Sequence, residues 1–450
     1  MASADPYLRH RVELQQAVFQ ARPEPTTLYA LVHLEPQAVS GRMPLDIRLV
    51  LDRSYSMSEL AGSGTETKLE LLKGAVSQLV SDLLPGDRLT VVVFHDKHQV
   101  LIPPTVLHDQ PQRQELLKKI AAIGLGGGTR MSPALKAACE VAPMPDYLTR
   151  LICFTDGNLC CTNADTDRKR ALELALTSRK QLPWLVFATG TDYDDTFLSN
   201  LAELNSGRYD HVSDVSDATA LFAQEINVMG EVALTQAMLS IETLNGFELR
   251  QVNRVVPEVR PVSFQSLSYC AIELGELDRV RGQKVLIQLE GVMNQACSVP
   301  VAKIGVSFNL PLKKLLNLSE YFEITAAFST DPGLQQLQAE VLTTVQLTGA
   351  SQLTAQGIAA LQQGQADLAG RTLTTAAELY TRLGDAQMGQ QLRTLCSAAS
   401  TGTGLQQEET RRTLTTQLKY TVQRTLMPKA LTQLPQAQPG QTQPETGGSI

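Results

Sequence analysis

Three short segments of the 450-residue chain carry side chains suited to holding a hard cation. LVLDRSYSMS sets Asp52, Ser54 and Ser56 in a D-x-S-x-S pattern just after an apolar run. One carboxylate and two hydroxyls in a single loop are oxygen donors of the kind that magnesium or manganese prefers. GLGGGTRMSP puts Thr129 behind glycines, which let the backbone turn tightly and approach a site. ICFTDGN ends another apolar run in Asp156 and Gly157. If the three loops converge, they bring two carboxylates and three hydroxyls to one point.

Other chemistry is poorly supplied. D-x-S-x-S alone also reads as turn and helix-capping residues. The run from Gly124 to Thr129 lacks G-x-G-x-x-G spacing and the lysine of a P-loop, and it follows a predicted helix, so a nucleotide loop is not expected. His95, Asp96, His98 and His108 have no common face and read as solvated turn residues. The seven cysteines include no C-x-x-C pair, which argues against a disulfide framework or a zinc site, and Cys160 and Cys161 read as inert thiols. With no Ser/His/Asp constellation and no nucleophile elbow, the chain is not expected to be an enzyme.

The elements that must position the three loops follow from the pattern around them. Between residues 43 and 229, strand-length apolar runs alternate with amphipathic segments, as in βαβ units around a mostly parallel, doubly wound sheet. The predicted strands are Leu45–Leu51, Arg88–Phe94, Thr149–Thr155, Trp184–Thr189 and Arg208–Val212, with His98–Ile102 as a short antiparallel edge. Leu69, Leu72, Val76, Leu79 and Leu83 mark a crossover helix, which Pro85, Gly86 and Asp87 stop. Loops at the carboxyl ends of such strands project into the crevice where open α/β sheets bind ligands.

Residues 230–312 read as an antiparallel β-sandwich, and residues 1–42 as two strands that complete it, since an isolated hairpin is marginal in water. Residues 313–430 read as a helical region whose first helix is N-capped at Asp331 before Pro332, and 431–450 as a disordered Gln/Pro/Gly-rich tail. Within 406–430, Thr413 and its neighbours lie among arginines and are candidates for phosphorylation. Charged residues make up 19% and the formal net charge is −7, which argues against nucleic acid as a partner. No run approaches the roughly 18 apolar residues of a membrane span, and no secretion signal is evident, so a cytoplasmic protein is expected.

The three loops, in this order and on this alternation, resemble the von Willebrand factor type A domain with its metal-ion-dependent adhesion site, over residues 43–229. The resemblance implies that Ser54 and Ser56 ligate Mg²⁺ or Mn²⁺ directly, that Thr129 does so directly or through water, and that Asp52 and Asp156 hold coordinated water. It implies a coordination position for an Asp or Glu of a protein partner, and a bacterial multidomain architecture. Arg53, Tyr55, Arg130 and Asn158 are the candidate rim of that contact, Tyr55 standing where the family most often has glycine. The expected function is metal-dependent protein binding, with self-association allowed for. The alternative is a scaffold of a kinase or phosphatase assembly recruited through the helical region, with a structural or regulatory metal site.

Overall fold

Apolar runs become strands here because both faces of the central sheet are covered. The computed structural model describes residues 7–401 apart from 38–40, 62–64, 180–181, 190–192, 206, 213–214, 258 and 334. The predicted tail from Leu431 and the segment around Thr413 lie outside the described residues. The chain opens with β1 (Leu8–Leu14), β2 (Val18–Gln20) and β3 (Arg22–Pro36). The α/β unit follows as β4 (Leu45–Asp52), α1 (Lys68–Asp82), β5 (Arg88–Phe94), β6 (His98–Val106), α2 (Gln110–Ala121), α3 (Ser132–Cys139), β7 (Leu148–Thr155), α4 (Ala164–Ser178), β8 (Trp184–Thr189), α5 (Asp195–Leu204), β9 (Arg208–Val212) and α6 (Val215–Gly230).

These six strands form one sheet in the order β6-β5-β4-β7-β8-β9, parallel except for β6. Alternate residues of each strand point to opposite faces. Leu49, Leu51, Val93 and Phe154 pack with Leu72 and Val76 of α1 and Phe222 of α6, whereas Val50, Val92 and Cys153 pack with Leu135, Ala171 and Leu198 of α3, α4 and α5. Helix α1 starts in a capping box, with Thr67 Oγ1 accepting from Glu70 N–H and the Glu70 carboxylate accepting from Thr67 N–H at 2.9 Å.

The remaining strands are β10 (Val232–Thr243), β11 (Glu248–Val256), β12 (Arg260–Pro261), β13 (Tyr269–Asp278), β14 (Gln283–Met293), β15 (Cys297–Leu310) and β16 (Leu315–Ser329). With the N-terminal strands they make two five-stranded sheets, β1-β3-β14-β11-β12 and β13-β10-β15-β16-β2, over a shared core. The N-terminal segment therefore serves both sheets: β1 and β3 enter one, and β2 lies parallel to β16 in the other. On β3, Leu28, Ala30, Val32 and Leu34 face this core, while Leu31 faces outward beneath α7 (Ala339–Gln362), α8 (Ala366–Arg382) and α9 (Ala386–Thr401), among Val341, Leu373, Tyr380 and Leu392.

Two expectations are corrected. The helical region does not start at 313, because residues 315–329 form β16, paired along its length with β15. Nor does a helix start at Asp331: the Asp331 carboxylate accepts Gly333 N–H at 3.3 Å, Gly333 takes a left-handed φ of +63°, and α7 begins only at Ala339. Leu337, two residues before α7, is 49% exposed.

Ion clusters stand where the layers join. Arg150 of β7 pairs with Glu276 of β13, linking the α/β unit to the sandwich. At the amino end of the sheet, Asp46 is fully buried and accepts from Arg48 at 3.0 Å and Arg88 at 2.7 Å; both guanidiniums also reach main-chain carbonyls, those of Ala138 and Ala142. Removing the one carboxylate strands two buried cations. Asp46→Ala should therefore destabilise the protein by roughly 3–5 kcal/mol in urea unfolding, against no more than about 1 kcal/mol for an exposed pair such as Glu115–Lys119.

Candidate metal centre

Strands β4 and β7 pair in parallel with Leu51 opposite Phe154, so their next residues emerge together at the carboxyl edge of the sheet. Asp52 and Asp156 are both fully buried there. Thr155 joins the two loops: its hydroxyl donates to Asp52 Oδ2 at 2.6 Å and accepts from Gly157 N–H at 2.9 Å. Each aspartate also closes a local turn, Asp52 Oδ1 accepting Ser54 N–H at 2.8 Å and Asp156 Oδ1 accepting Asn158 N–H at 3.1 Å.

Main-chain hydrogen bonds tie the third loop to the other two. Tyr55 N–H donates to Gly127 O at 3.0 Å, Gly126 N–H to Arg53 O at 2.6 Å, and Thr129 N–H to Cys160 O at 3.0 Å. This close approach explains Gly128, where a Cβ would lie 2.4 Å from both an Asp96 carboxylate oxygen and the Cys160 carbonyl oxygen. His95 and Asp96 stand in a turn as expected, with Asp96 exposed, and they also border the glycine loop, His95 Nδ1 accepting Gly127 N–H at 3.3 Å. The five sequence-derived candidates thus sit on three interlocked loops. Ser54 and Thr129 are buried, and Ser56 is half-buried with its Oγ 3.0 Å from Ser54 Oγ.

The donor set fits a small divalent ion. Two adjacent ligand oxygens on an octahedron of ~2.0–2.1 Å radius lie about 2.9 Å apart, close to the serine spacing. Asp156 Oδ2 is buried with no hydrogen-bond partner, which is costly for a carboxylate unless a cation engages it. Burial first, and the neighbouring Asp156 charge second, push the Asp52 carboxyl up to about 6 despite hydrogen bonds from Thr155 and Ser54.

At the rim, Tyr55 is 73% exposed, Arg53 Nη1 donates to Gly124 O at 3.0 Å, and Arg130 Nε stands 3.9 Å from Asp167 Oδ1. Asn158 contributes its N–H to Asp156. Sequence reasoning missed Thr155, and also Lys68, whose ammonium lies 3.7 Å from Asp156 Oδ2 and 2.7 Å from Glu59 Oε2. The capping box was the available signal, since it fixes Lys68 as the first residue of α1.

Far from this site, Glu13, His33 and Glu340 bring potential ligand atoms within 4.8 Å of one another. The Arg11 guanidinium pairs with both carboxylates and lies 3.2 Å from His33 Nδ1, and Lys284 donates to Glu340 at 2.8 Å. Burial, with help from Arg11 and Lys284, lowers the His33 imidazole to about 4 against the opposing effect of Glu340. Protein cations already fill this cluster, which clasps the first turn of α7 to the sandwich.

Comparison with known proteins agrees with the fold. Residues 47–158, which include all five candidate ligands, match the family model of the von Willebrand factor type A domain. The chain contains a von Willebrand factor type A domain. The solved von Willebrand factor type A protein from Catenulispora acidiphila is 18% identical, with a TM-score of 0.66 over 88% of this chain and 91% of that one. The ArnB paralog from Sulfolobus acidocaldarius is 14% identical, with a TM-score of 0.53 over 94% and 100%. These two likenesses show the fold alone.

Among curated proteins, an uncharacterized protein of Synechocystis sp. is 26% identical over 257 residues, 56% of each chain. An inter-alpha-trypsin inhibitor heavy chain of Mesocricetus auratus is 25% identical over 190 residues, 40% of this chain. This chain spans 56% and 21% of the lengths of those relatives. Type A domains mediate protein interaction or adhesion and often bind a divalent metal. Among the described residues no helix is long and apolar enough to cross a membrane.

The raised Asp52 carboxyl makes the type A domain's metal-free stability pH-dependent. Its folded value lies above the unfolded value of ~3.9, so its contribution is fully present below about pH 4 and is lost as pH rises through about 6. In the presence of chelator, wild type should lose of order 3 kcal/mol relative to Asp52→Asn between pH 4 and pH 8, read by urea unfolding at each pH. A difference that does not change with pH would mean that the carboxylate is not held in this environment.

Proposed function

We propose that the type A domain is a divalent-metal-dependent protein-binding module. In this reading Ser54, Ser56 and Thr129 hold Mg²⁺ or Mn²⁺, Asp52 and Asp156 stand behind them, and a partner protein presents an Asp or Glu carboxylate. When bound, the ion supplies a Lewis-acidic position open to that carboxylate. The observations that carry the reading are the fully buried Asp156 Oδ2, which has no hydrogen bond and the Lys68 ammonium 3.7 Å away, and two serine hydroxyls 3.0 Å apart on the neighbouring loop.

The chain's own residues do the rest. The main-chain ties among the three loops preorganise the donors, so little ordering is left for the moment of binding. Neutral hydroxyls in direct contact, with the carboxylates held back by turns and by Thr155, leave an ion's charge only partly neutralised. The exposed ring of Tyr55 and the half-exposed Arg130 flank the approach, and a cation there favours an acidic surface. We read the module as binding rather than catalytic, since the two serine hydroxyls, 3.0 Å apart, are spaced as neighbouring donors to one ion. The sandwich and helices are its mount, and the seven unpaired cysteines suit the reducing bacterial cytoplasm.

Calorimetric titration of metal-stripped protein with Mg²⁺ and Mn²⁺ tests this. One saturable equivalent is expected, weakened at least ~100-fold in Ser54→Ala/Ser56→Ala and in Asp156→Ala, with both variants retaining the wild-type circular dichroism. Saturable binding that survives in the folded serine variant would place the ion elsewhere.

A further inference from the structure

Lys68 sits against two ordinary preferences. It is the first residue of α1, where the positive end of the helix dipole disfavours a cation, and its side chain is only 2% exposed. The helix does not need the charge, because Thr67 and Glu70 already close its first turn and its apolar stripe begins at Leu69. The main chain fixes the position whatever the side chain, since Lys68 N–H donates to Glu59 O at 2.9 Å. From there the ammonium lies between two carboxylates, 2.7 Å from Glu59 Oε2 and 3.7 Å from Asp156 Oδ2. That Asp156 oxygen is the one with no hydrogen-bond partner.

Resting on the metal reading of this site, we propose that Lys68 is its resident counter-ion and the residue that sets its metal affinity. In the metal-free protein the ammonium offsets the repulsion between Asp52 and Asp156. A divalent ion must compete with it for Asp156. Glu59, whose side chain is 63% exposed, is a second holder that keeps the ammonium when Asp156 is engaged. Lys68 is thus a positioning residue with opposite effects on the two states: it steadies the empty site and weakens the ion's hold.

The test is calorimetry of the metal-stripped full chain with Mg²⁺ alone and Mn²⁺ alone, beside thermal melts with chelator. Lys68→Met should bind both ions about tenfold more tightly or better, while Lys68→Arg, which keeps the charge, should stay near wild type. Without metal, Lys68→Met should melt below wild type, and saturating Mg²⁺ should close the gap. Glu59→Gln should weaken binding severalfold in the wild-type background and have little effect beside Lys68→Met, since Glu59 acts through the lysine.

Unchanged affinity in Lys68→Met, whatever its melting temperature, would leave the lysine a merely structural pair and overturn the inference. If Lys68→Met fails to fold, Glu59→Gln decides, because unchanged affinity there also overturns it. Metal binding by wild type with a flat variant series defeats this inference alone. No binding by wild type or by any folded variant defeats the metal reading, and this one with it.

Discussion

Two carboxylates buried side by side at the end of paired parallel strands set the terms for the rest of the type A domain. The β4–β7 register delivers Asp52 and Asp156 to one crevice, and neither is exposed to water. Burial first, and the neighbouring like charge second, raise the Asp52 carboxyl. Everything around the pair acts to contain it: the Thr155 hydroxyl, the two turns closed by backbone N–H groups, and the buried ammonium of Lys68. One oxygen is left without a hydrogen bond. Functional sites are where local rules are broken and compensated nearby, and this pair does so at the crevice where open α/β sheets bind ligands.

The same logic, in milder form, governs how the layers are joined. Apolar packing builds the layers and joins them, and at several of the joins the chain adds a network of ions. Asp46 binds Arg48 and Arg88 under the sheet, Arg150 binds Glu276 between the sheet and the sandwich, and Arg11, Glu13, His33, Lys284 and Glu340 meet where α7 docks. Buried ion pairs add little net stability over apolar contacts, yet a displaced partner is strongly penalised. Such networks therefore act mainly on orientation.

Much of the type A domain was legible in the sequence because its strands are buried on both faces and read as unbroken apolar runs, such as RLTVVVF at Arg88–Phe94. Four of the five candidate ligands were legible because they stand just past the end of such a run, and Thr129 because it follows a run of glycines. What stayed hidden lacked that contrast. Strand β16 exposes alternate residues, including Tyr321, so its segment carried only a half-pattern and was given to the helices. Helix α7 was placed too early because Asp331 and Pro332 have cap chemistry, while the Gly333 turn that cancels it needs a backbone angle. Lys68 was hidden for another reason: Asp156, the site carboxylate it meets, is 88 positions away by residue number.

Tyr55 shows how a departure from a family's habit can leave the loop's backbone geometry intact. Glycine is needed where the backbone takes a left-handed φ or where a Cβ would collide. Tyr55 meets neither condition: it opens the short 3-10 turn Tyr55–Ser58, is not among the positive-φ residues, and is 73% exposed. The loop uses only its main chain, the N–H that donates to Gly127 O. The position is thus free to carry a side chain, and the requirement for glycine falls on the opposite loop, at Gly128, where a Cβ would strike Cys160 O. An aromatic ring standing in solvent beside the ligand hydroxyls adds a broad surface with a polar tip at the mouth of the site, a combination enriched at protein interfaces. On the reading proposed above, metal geometry and partner choice would be separated on one loop, the first resting on Ser54 and Ser56 and the second on the residue between them.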